Sequence, residues 1–399
     1  MFPNMVLITH NKRFTYHSGK KDKKPIVYNN KLIRDLKKSL SINSNHQSAI
    51  LILNQEYKYY QHVIDELVQS NITKIYFFID DVFRIRHKTD QSVNLMDTHT
   101  IEKDFENTIF LELGLIEIIL NQTKISDFKI FHCERIPKKL LKKFKYKINY
   151  FDVYLNDWVY FKKNENYVQK LPLDYKVTCF NHRRDWQRHL MSALLFDKAG
   201  VFLTNSNKYK YSAILKNPYI NFNKYKDPFK SNLLDQIKKY DSEPITFVDD
   251  DGSIVKQHNL RTNLNGLTQN INSIYNLTER SFVNLVTETR FCTPIQYISE
   301  KTLKPMMVNR PFIILGPPHT LALLKHMGFK TFDKWWDESY DDEKKHNIRF
   351  AMVYSLIQKI LSHDLEDLEK ILFEMNDILL HNRRHIKNIP KYFFKKLVI

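Results

Sequence analysis

A chain of 399 residues, 43% of them hydrophobic, is long enough to bury two cores of roughly 150–200 residues each, which excludes a single small domain. Only 7 glycines are present, and neither GxGxxG nor GxxxxGK(S/T) occurs, so any nucleotide must be held by side chains, helix N-termini or ordinary backbone amides. The net charge of +18 and the excess of Lys, Asn, Ile, Phe and Tyr leave two readings open, a polyanionic partner or the codon bias of an AT-rich genome. Residues 5–10 (MVLITH), 49–54 (AILILN), 74–80 (KIYFFID) and 128–133 (FKIFHC) are short apolar runs that predict buried strands. Between them the period changes to that of a helix. Residues 30–40 place Leu32, Ile33, Leu36 and Leu40 on one face, and residues 57–69 do the same with Tyr60, Ile64, Leu67 and Val68. The longest predicted helix covers 100–121, with Thr100 as N-cap and Asp104 in its first turn. Strand–helix alternation of this kind predicts a mostly parallel sheet covered by helices.

Residues 138–147 (KKLLKKFKYK) read as a basic helix, presenting its charge either to a polyanion or simply to solvent. The periodicity lapses around 164–172, which sets expected domains at 1–168 and 169–399. In the second half, 176–180, 201–205, 245–248, 282–287 and 311–315 are strand candidates, and 186–195, 300–308 and 319–326 are helix candidates. The tail from 342 to 396 is helical by pattern, with one break near 362–364.

Cys133, Cys179 and Cys292 are isolated and show no CxxC spacing, so neither a disulfide framework nor a structural zinc site is expected. The N-terminus runs from apolar to basic, the wrong order for a signal peptide, and no apolar stretch approaches the roughly 20 residues that span a bilayer. The expectation is a cytoplasmic protein without a membrane span.

The window from 281 to 341 is the richest in chemistry. Glu288 follows a strand, and open α/β sheets bind ligands outside their strand C-termini. Ser299 is the expected N-cap of a helix that starts at Glu300 and carries Lys301, Thr302 and Lys304 in its first turns. Free amides at that N-terminus plus two lysines would bind a diphosphate, and Glu300 would accept hydrogen bonds from ribose or sugar hydroxyls. Asp80, Asp81 and His10 stand at strand ends and are the candidates for a catalytic base. Asp249–Asp251 reads either as a strand-ending turn, the favoured reading, or as a divalent-metal motif.

Within this window TET-x-F, ISEKT-x-KP, PFIILG, L-x-x-L-x-x-x-GFKTF and W-x-DESYD follow in order. The series resembles a family of glycosyltransferases from bacteriophages and large viruses. It is more distantly similar to the donor-binding half of the fucosyltransferase group. The stretch CFNHRRDWQRHLMSALL from Cys179 resembles the family's Asn-Arg-rich segment, although Arg188 here precedes His189 where the family order is His-Arg. The resemblance implies a GT-B-like α/β fold, with two facing Rossmann-like domains and helices closing the C-terminus. The acceptor side would be N-terminal and the nucleotide-sugar side C-terminal.

It further implies donor contacts by Asn181, Arg183, Arg188, Glu288, Ser299, Glu300, Lys301, Thr302 and Lys304. The expected donor is a UDP-sugar, hexose or pentose, with no obligatory metal. Joined to the +18 charge, the resemblance implies double-stranded DNA as acceptor, through a hydroxymethylated cytosine. Two alternatives stay open: a glycosyltransferase acting on a surface glycan or protein, and a non-catalytic nucleic-acid-binding protein on a degenerate transferase fold.

Overall fold

In the computed structural model, most of the apolar runs become strands of mixed α/β units. The structure describes residues 5–8, 13–16, 30–40, 42, 47–53, 60–79, 98–153, 155–156, 159, 171–181, 186–196, 198–205, 247–248, 254–255, 277–288, 290–292, 295–296 and 298–397. The chain divides into two units. Met1–Ile85, His99–Lys163 and Lys387–Ile399 form the first, and Arg86–Thr98 with Asn164–Ile386 the second.

The first unit is built from β1 (Met5–Ile8), β2 (Arg13–Tyr16), α1 (Asn30–Ser39), β3 (Ser48–Leu53), α2 (Tyr60–Gln69) and β4 (Lys74–Ile79). It continues with α3 (Thr98–Thr123), β5 (Asp127–His132), α4 (Lys138–Leu141) and β6 (Ile148–Tyr150). Its sheet runs in the order β2-β1-β3-β4-β5-β6. β3 to β6 are parallel, and β1 lies antiparallel to both its neighbours. Every residue of β3 is buried, as is every residue of β4 after Lys74, which is what a strand covered on both faces requires.

Leu32, Ile33, Leu36 and Leu40 are buried as their period predicts. In α2 the buried set is Val63, Ile64 and Leu67, whereas Val68 is exposed. The apolar stripe is therefore rotated by one residue from the predicted one. α3 begins at Thr98, so Thr100 lies inside the helix rather than at its N-cap. The predicted basic helix over 138–147 shrinks to the single turn of α4, because Phe144 turns inward against Phe110 with ring centroids 4.9 Å apart. The last helix of the chain, α11 by order (Ile389–Leu397), belongs to this unit. Its Phe393 is fully buried, with its ring 5.4 Å from those of both Tyr150 and Phe151. Pro390 sits in the first turn of that helix, where a missing N–H removes no hydrogen bond.

The second unit contains β7 (Tyr175–Asn181), α5 (Trp186–Leu195), β8 (Val201–Asn205), β9 (Phe247–Val248), β10 (Ile254–Val255) and β11 (Ser281–Thr287). It continues with α6 (Glu300–Met307), β12 (Phe312–Leu315), α7 (Thr320–His326), α8 (His346–Leu361), α9 (Leu365–Glu374) and α10 (Asn376–Ile386). Its four-stranded sheet is all parallel, in the order β12-β11-β7-β8. The chain leaves β7 toward β8 on one side and returns to β11 on the other. The gap between the C-terminal ends of β7 and β11 is therefore a topological switch point. Residues 247–248 do not join this sheet; they pair antiparallel with β10. The tail breaks at 362–364 as predicted, and again at Met375 and before Ile389.

Candidate functional site

At the switch point the strand ends are cross-linked by buried polar groups. The Thr287 hydroxyl donates to the Asn181 side-chain oxygen, and the Asn181 amide donates to Ser192 Oγ at 2.9 Å. Arg188 Nη2, from the first turn of α5, donates to the Thr287 carbonyl at 2.9 Å. A strand's last carbonyl lacks a sheet partner, and the guanidinium supplies one. Asn181 and Arg188 are each 1% exposed, so in this state both form the floor of the edge rather than its surface. His189 beside them is also buried. Burial pushes the neighbouring Cys179 thiol up to about 12, although Asn181 and Arg188 favour the thiolate, so the sulfur is inert.

One residue beyond β11, Glu288 is fully buried and collects three hydrogen bonds. Its Oε1 accepts from the Ser299 backbone N–H at 3.0 Å and from the Thr302 hydroxyl at 2.8 Å, while its Oε2 accepts from the Ser299 hydroxyl at 2.7 Å. Glu288 therefore fixes the start of α6. Ser299 is the N-cap, its Oγ accepting from the Lys301 N–H at 3.2 Å. Thr302 N–H reaches the Ser299 carbonyl at 3.2 Å, and the Glu300 carboxylate receives its own backbone N–H. The free amides expected at this N-terminus are thus already occupied, because Glu288, Ser299 and Glu300 satisfy them from within the chain.

The groups left at the surface are charged side chains. Glu300 is 18% exposed and Lys301 24% exposed, and Lys301 Nζ stands 3.2 Å from Glu300 Oε1. Burial alone would push the Glu300 carboxyl up. The charges of Lys301 and Lys304, with the backbone hydrogen bond, outweigh burial and bring it down to about 2. Burial pushes the Lys304 ammonium down, helped by Lys301 and opposed by Glu300 and Glu288. Two acids and two lysines are thus brought together around one helix start.

The acidic residues of the W-x-DESYD stretch have local partners. Asp341 accepts from the Leu321 and Ala322 N–H groups at 2.9 and 3.0 Å, capping α7, and burial pushes its carboxyl up. Glu338 accepts from Thr331 Oγ1 at 2.6 Å and from the Phe332 N–H at 2.8 Å. Asp337 holds the Ser339 N–H and hydroxyl, each at 2.8 Å.

His10, Asp80, Asp81, Arg183 and Asp249–Asp251 lie outside the described residues. Among the described residues no group of three or more His, Cys, Asp or Glu is placed to hold a metal ion, and no helix is long and apolar enough to cross a membrane. In the basic segment Lys138, Lys139, Lys142 and Lys147 are exposed. Lys143 and Lys145 are exposed too but pair with Glu106 and Glu117 of α3, the former at 2.7 Å.

The sequence reading missed a buried pair in the first unit. His132, the last residue of β5, is 2% exposed, and its Nε2 lies 3.7 Å from Oε2 of Glu112, which is 1% exposed. His132 Nδ1 lies 3.0 Å from the Glu134 backbone nitrogen and 3.3 Å from its carbonyl oxygen, and Nε2 is the ring nitrogen that faces Glu112. Burial pushes the Glu112 carboxyl up to about 8. The only sequence signal was a polar residue on an apolar stripe of α3.

No protein-family model and no curated protein matches the chain. Among solved structures it is similar to a DNA-modifying β-glucosyltransferase determined with and without uridine diphosphoglucose, at 12% identity and a TM-score of 0.38, over 92% of this chain and 93% of that one. It is similar to T4 phage β-glucosyltransferase at 13% identity and a TM-score of 0.37, over 92% of each chain. The T4 phage enzyme with UDP and Mn2+ gives 14% identity and a TM-score of 0.35, over 82% of this chain and 74% of that one. Likeness at this level assigns neither activity nor ligand to the present chain.

Proposed function

We propose that this chain is a glycosyltransferase whose nucleotide-sugar donor binds at the C-terminal edge of the second unit's sheet. The observation that carries this reading is the Glu300, Lys301 and Lys304 set on a helix start held by buried Glu288 at a topological switch point. Glu300, ionised throughout the neutral range, accepts hydrogen bonds from the ribose diol. Lys301 and Lys304 face the diphosphate.

In the reaction an acceptor hydroxyl oxygen bonds to the anomeric carbon, the bond from that carbon to the phosphate oxygen breaks, and the diphosphate leaves with the electron pair. The lysines stabilise the charge that develops there. Asn181 and Arg188 hold the floor, and Arg183 is assigned to the leaving diphosphate. A general base takes the acceptor proton, with Asp80, Asp81 and His10 as the proposed candidates.

The acceptor is proposed to be a hydroxymethylated base in DNA, for which the net charge of +18 and the exposed lysines of 138–147 would supply phosphate contacts. A paired base would have to leave the stack to react. The test combines purified protein, a panel of UDP- and GDP-sugars headed by UDP-glucose, and duplex DNA with or without hydroxymethylcytosine, read by mass spectrometry of the digested nucleosides. A hexose or pentose mass on the modified base, lost in Glu300→Ala, is the expected result. Release of nucleotide only with a glycan or protein acceptor would overturn the DNA assignment. Absence of donor binding to the wild-type protein would overturn the enzyme assignment.

A further inference from the structure

A buried arginine ties the second unit's sheet at each end. At the N-terminal edge, Arg310 donates from Nη1 to the Asn309 carbonyl at 3.1 Å and from Nη2 to the Glu279 carbonyl. It thereby joins the segments that lead into β12 and β11.

At the C-terminal edge, Arg349 reaches in from the first turn of α8 and is 1% exposed. Its Nε donates to the Gly316 carbonyl at 2.9 Å, its Nη1 to the Glu343 carbonyl at 2.6 Å and its Nη2 to the Phe291 carbonyl. Its guanidinium carbon lies 4.5 Å from the centre of the Phe291 ring.

Gly316 directly follows β12, and Phe291 lies three residues past Glu288. The two segments bracket Glu288 closely. A Cβ added to Gly316 would sit 3.5 Å from both Cβ and Cγ of Glu288. Glu288 in turn holds Ser299 and Thr302. Arg349 is thus connected through Gly316 and Glu288 to the helix start that carries Glu300, Lys301 and Lys304.

We propose that Arg349 is a positioning residue for the donor site, clamping the segments after β11 and β12 so that Glu288 holds the start of α6 in place. This rests on the reading of the α6 cluster as the donor site. Three carbonyls on three separate segments need three donors fixed in one plane, which a guanidinium has and an ammonium lacks. Burying a guanidinium adds little net stability, so its distinctive contribution is a fixed geometry.

The experiment compares Arg349→Lys with Arg310→Lys in the full chain. It reads affinity for UDP and UDP-glucose by calorimetry, thermal unfolding, and amide hydrogen exchange at residues 299–302. Both variants are expected to unfold earlier. Only Arg349→Lys is expected to weaken UDP binding, by about 10-fold, and to speed exchange at 299–302. In Arg349→Ala, millimolar N-ethylguanidinium is expected to restore UDP affinity while ethylammonium does not.

Unchanged UDP affinity in Arg349→Lys, or an equal loss in both lysine variants, would overturn the positioning role. If the wild-type protein binds neither UDP nor UDP-glucose, the donor reading falls and the exchange comparison decides alone. Faster exchange at 299–302 confined to Arg349→Lys then sustains the clamp, and equal exchange in the two variants removes it.

Discussion

Glu112→Gln tests the electrostatics of the first unit most directly. In the folded unit burial pushes the Glu112 carboxyl from 4.5 up to about 8, and the His132 ring stands 3.7 Å from it. The folded value lies above the unfolded one, so the contribution to stability is fully present below pH 4.5 and is lost as the pH rises to about 8. In that window the unfolded chain gives up the proton and the folded unit keeps it. The whole difference corresponds to about 5 kcal/mol, comparable to the total stability of a small domain. Glutamine keeps the shape and removes the titration.

Urea unfolding followed by exchange of the α3 and β5 amides, on wild type and variant across the pH range, reads the effect. The two proteins should be nearly equally stable near pH 4.5. The variant should gain progressively, up to about 5 kcal/mol above pH 8. Parallel curves for the two proteins, or a wild type that gains on the variant as pH rises, would refute the reasoning. The latter would mean that Glu112 is ionised and paired with a protonated His132.

Three further outcomes follow from particular contacts. Gly328 has φ +95°, and a Cβ there would lie 2.7 Å from His385 Nε2. Gly328→Ala should cost about 1–3 kcal/mol in chemical denaturation, and adding His385→Ala should recover the contact part but not the backbone part. Phe393→Ala empties a fully buried site between Tyr150 and Phe151 and should cost the first unit about 3–5 kcal/mol, read from the exchange of its sheet amides. Glu300→Gln should weaken UDP binding by about 1.5–3 kcal/mol while strengthening binding of inorganic pyrophosphate, both read by calorimetry; changes of the same sign would place Glu300 outside the site.

Much of this architecture was legible because burial on both faces leaves unbroken apolar runs. AILIL and IYFFI became β3 and β4, and FVNLV became the middle of β11. Short elements left no such trace. β6 has three residues and β10 two, below the length at which any period can be counted. The start of α3 was misplaced because Thr100 has capping chemistry wherever it stands, while the helix begins two residues earlier. At the site, Ser299 as N-cap could be read from residue type and spacing. The roles of Glu288 and Arg349 could not. Each depends on contacts made 6 to 58 positions away along the chain, and sequence pattern carries no information on which loops meet at a strand end. The acidic W-x-DESYD stretch carries the opposite lesson. Its recognisable spacing supplies caps and turns of the fold.

The charge arrangement at α6 bears on what the site can select. Glu300 already answers its own amide and Lys301, so a bare anion arriving at this helix start meets a carboxylate in its path. A ligand that is only negative gains from the lysines and loses to Glu300. A ligand that is only a polyol gains from Glu300 and leaves Lys304 in an environment that already disfavours its charge. A nucleoside diphosphate, the ligand proposed for this site, would satisfy both, its ribose hydroxyls donating to the acid while its phosphates take the lysines. Discrimination of this kind comes from mismatch as much as from attraction: the unsatisfied half of the cluster penalises the incomplete ligand. For the geometry to hold, Glu300 must keep its place relative to the lysines, and that place is set by Ser299 and Glu288 behind them. The buried, chemically silent residues therefore carry as much of the proposed specificity as the exposed ones.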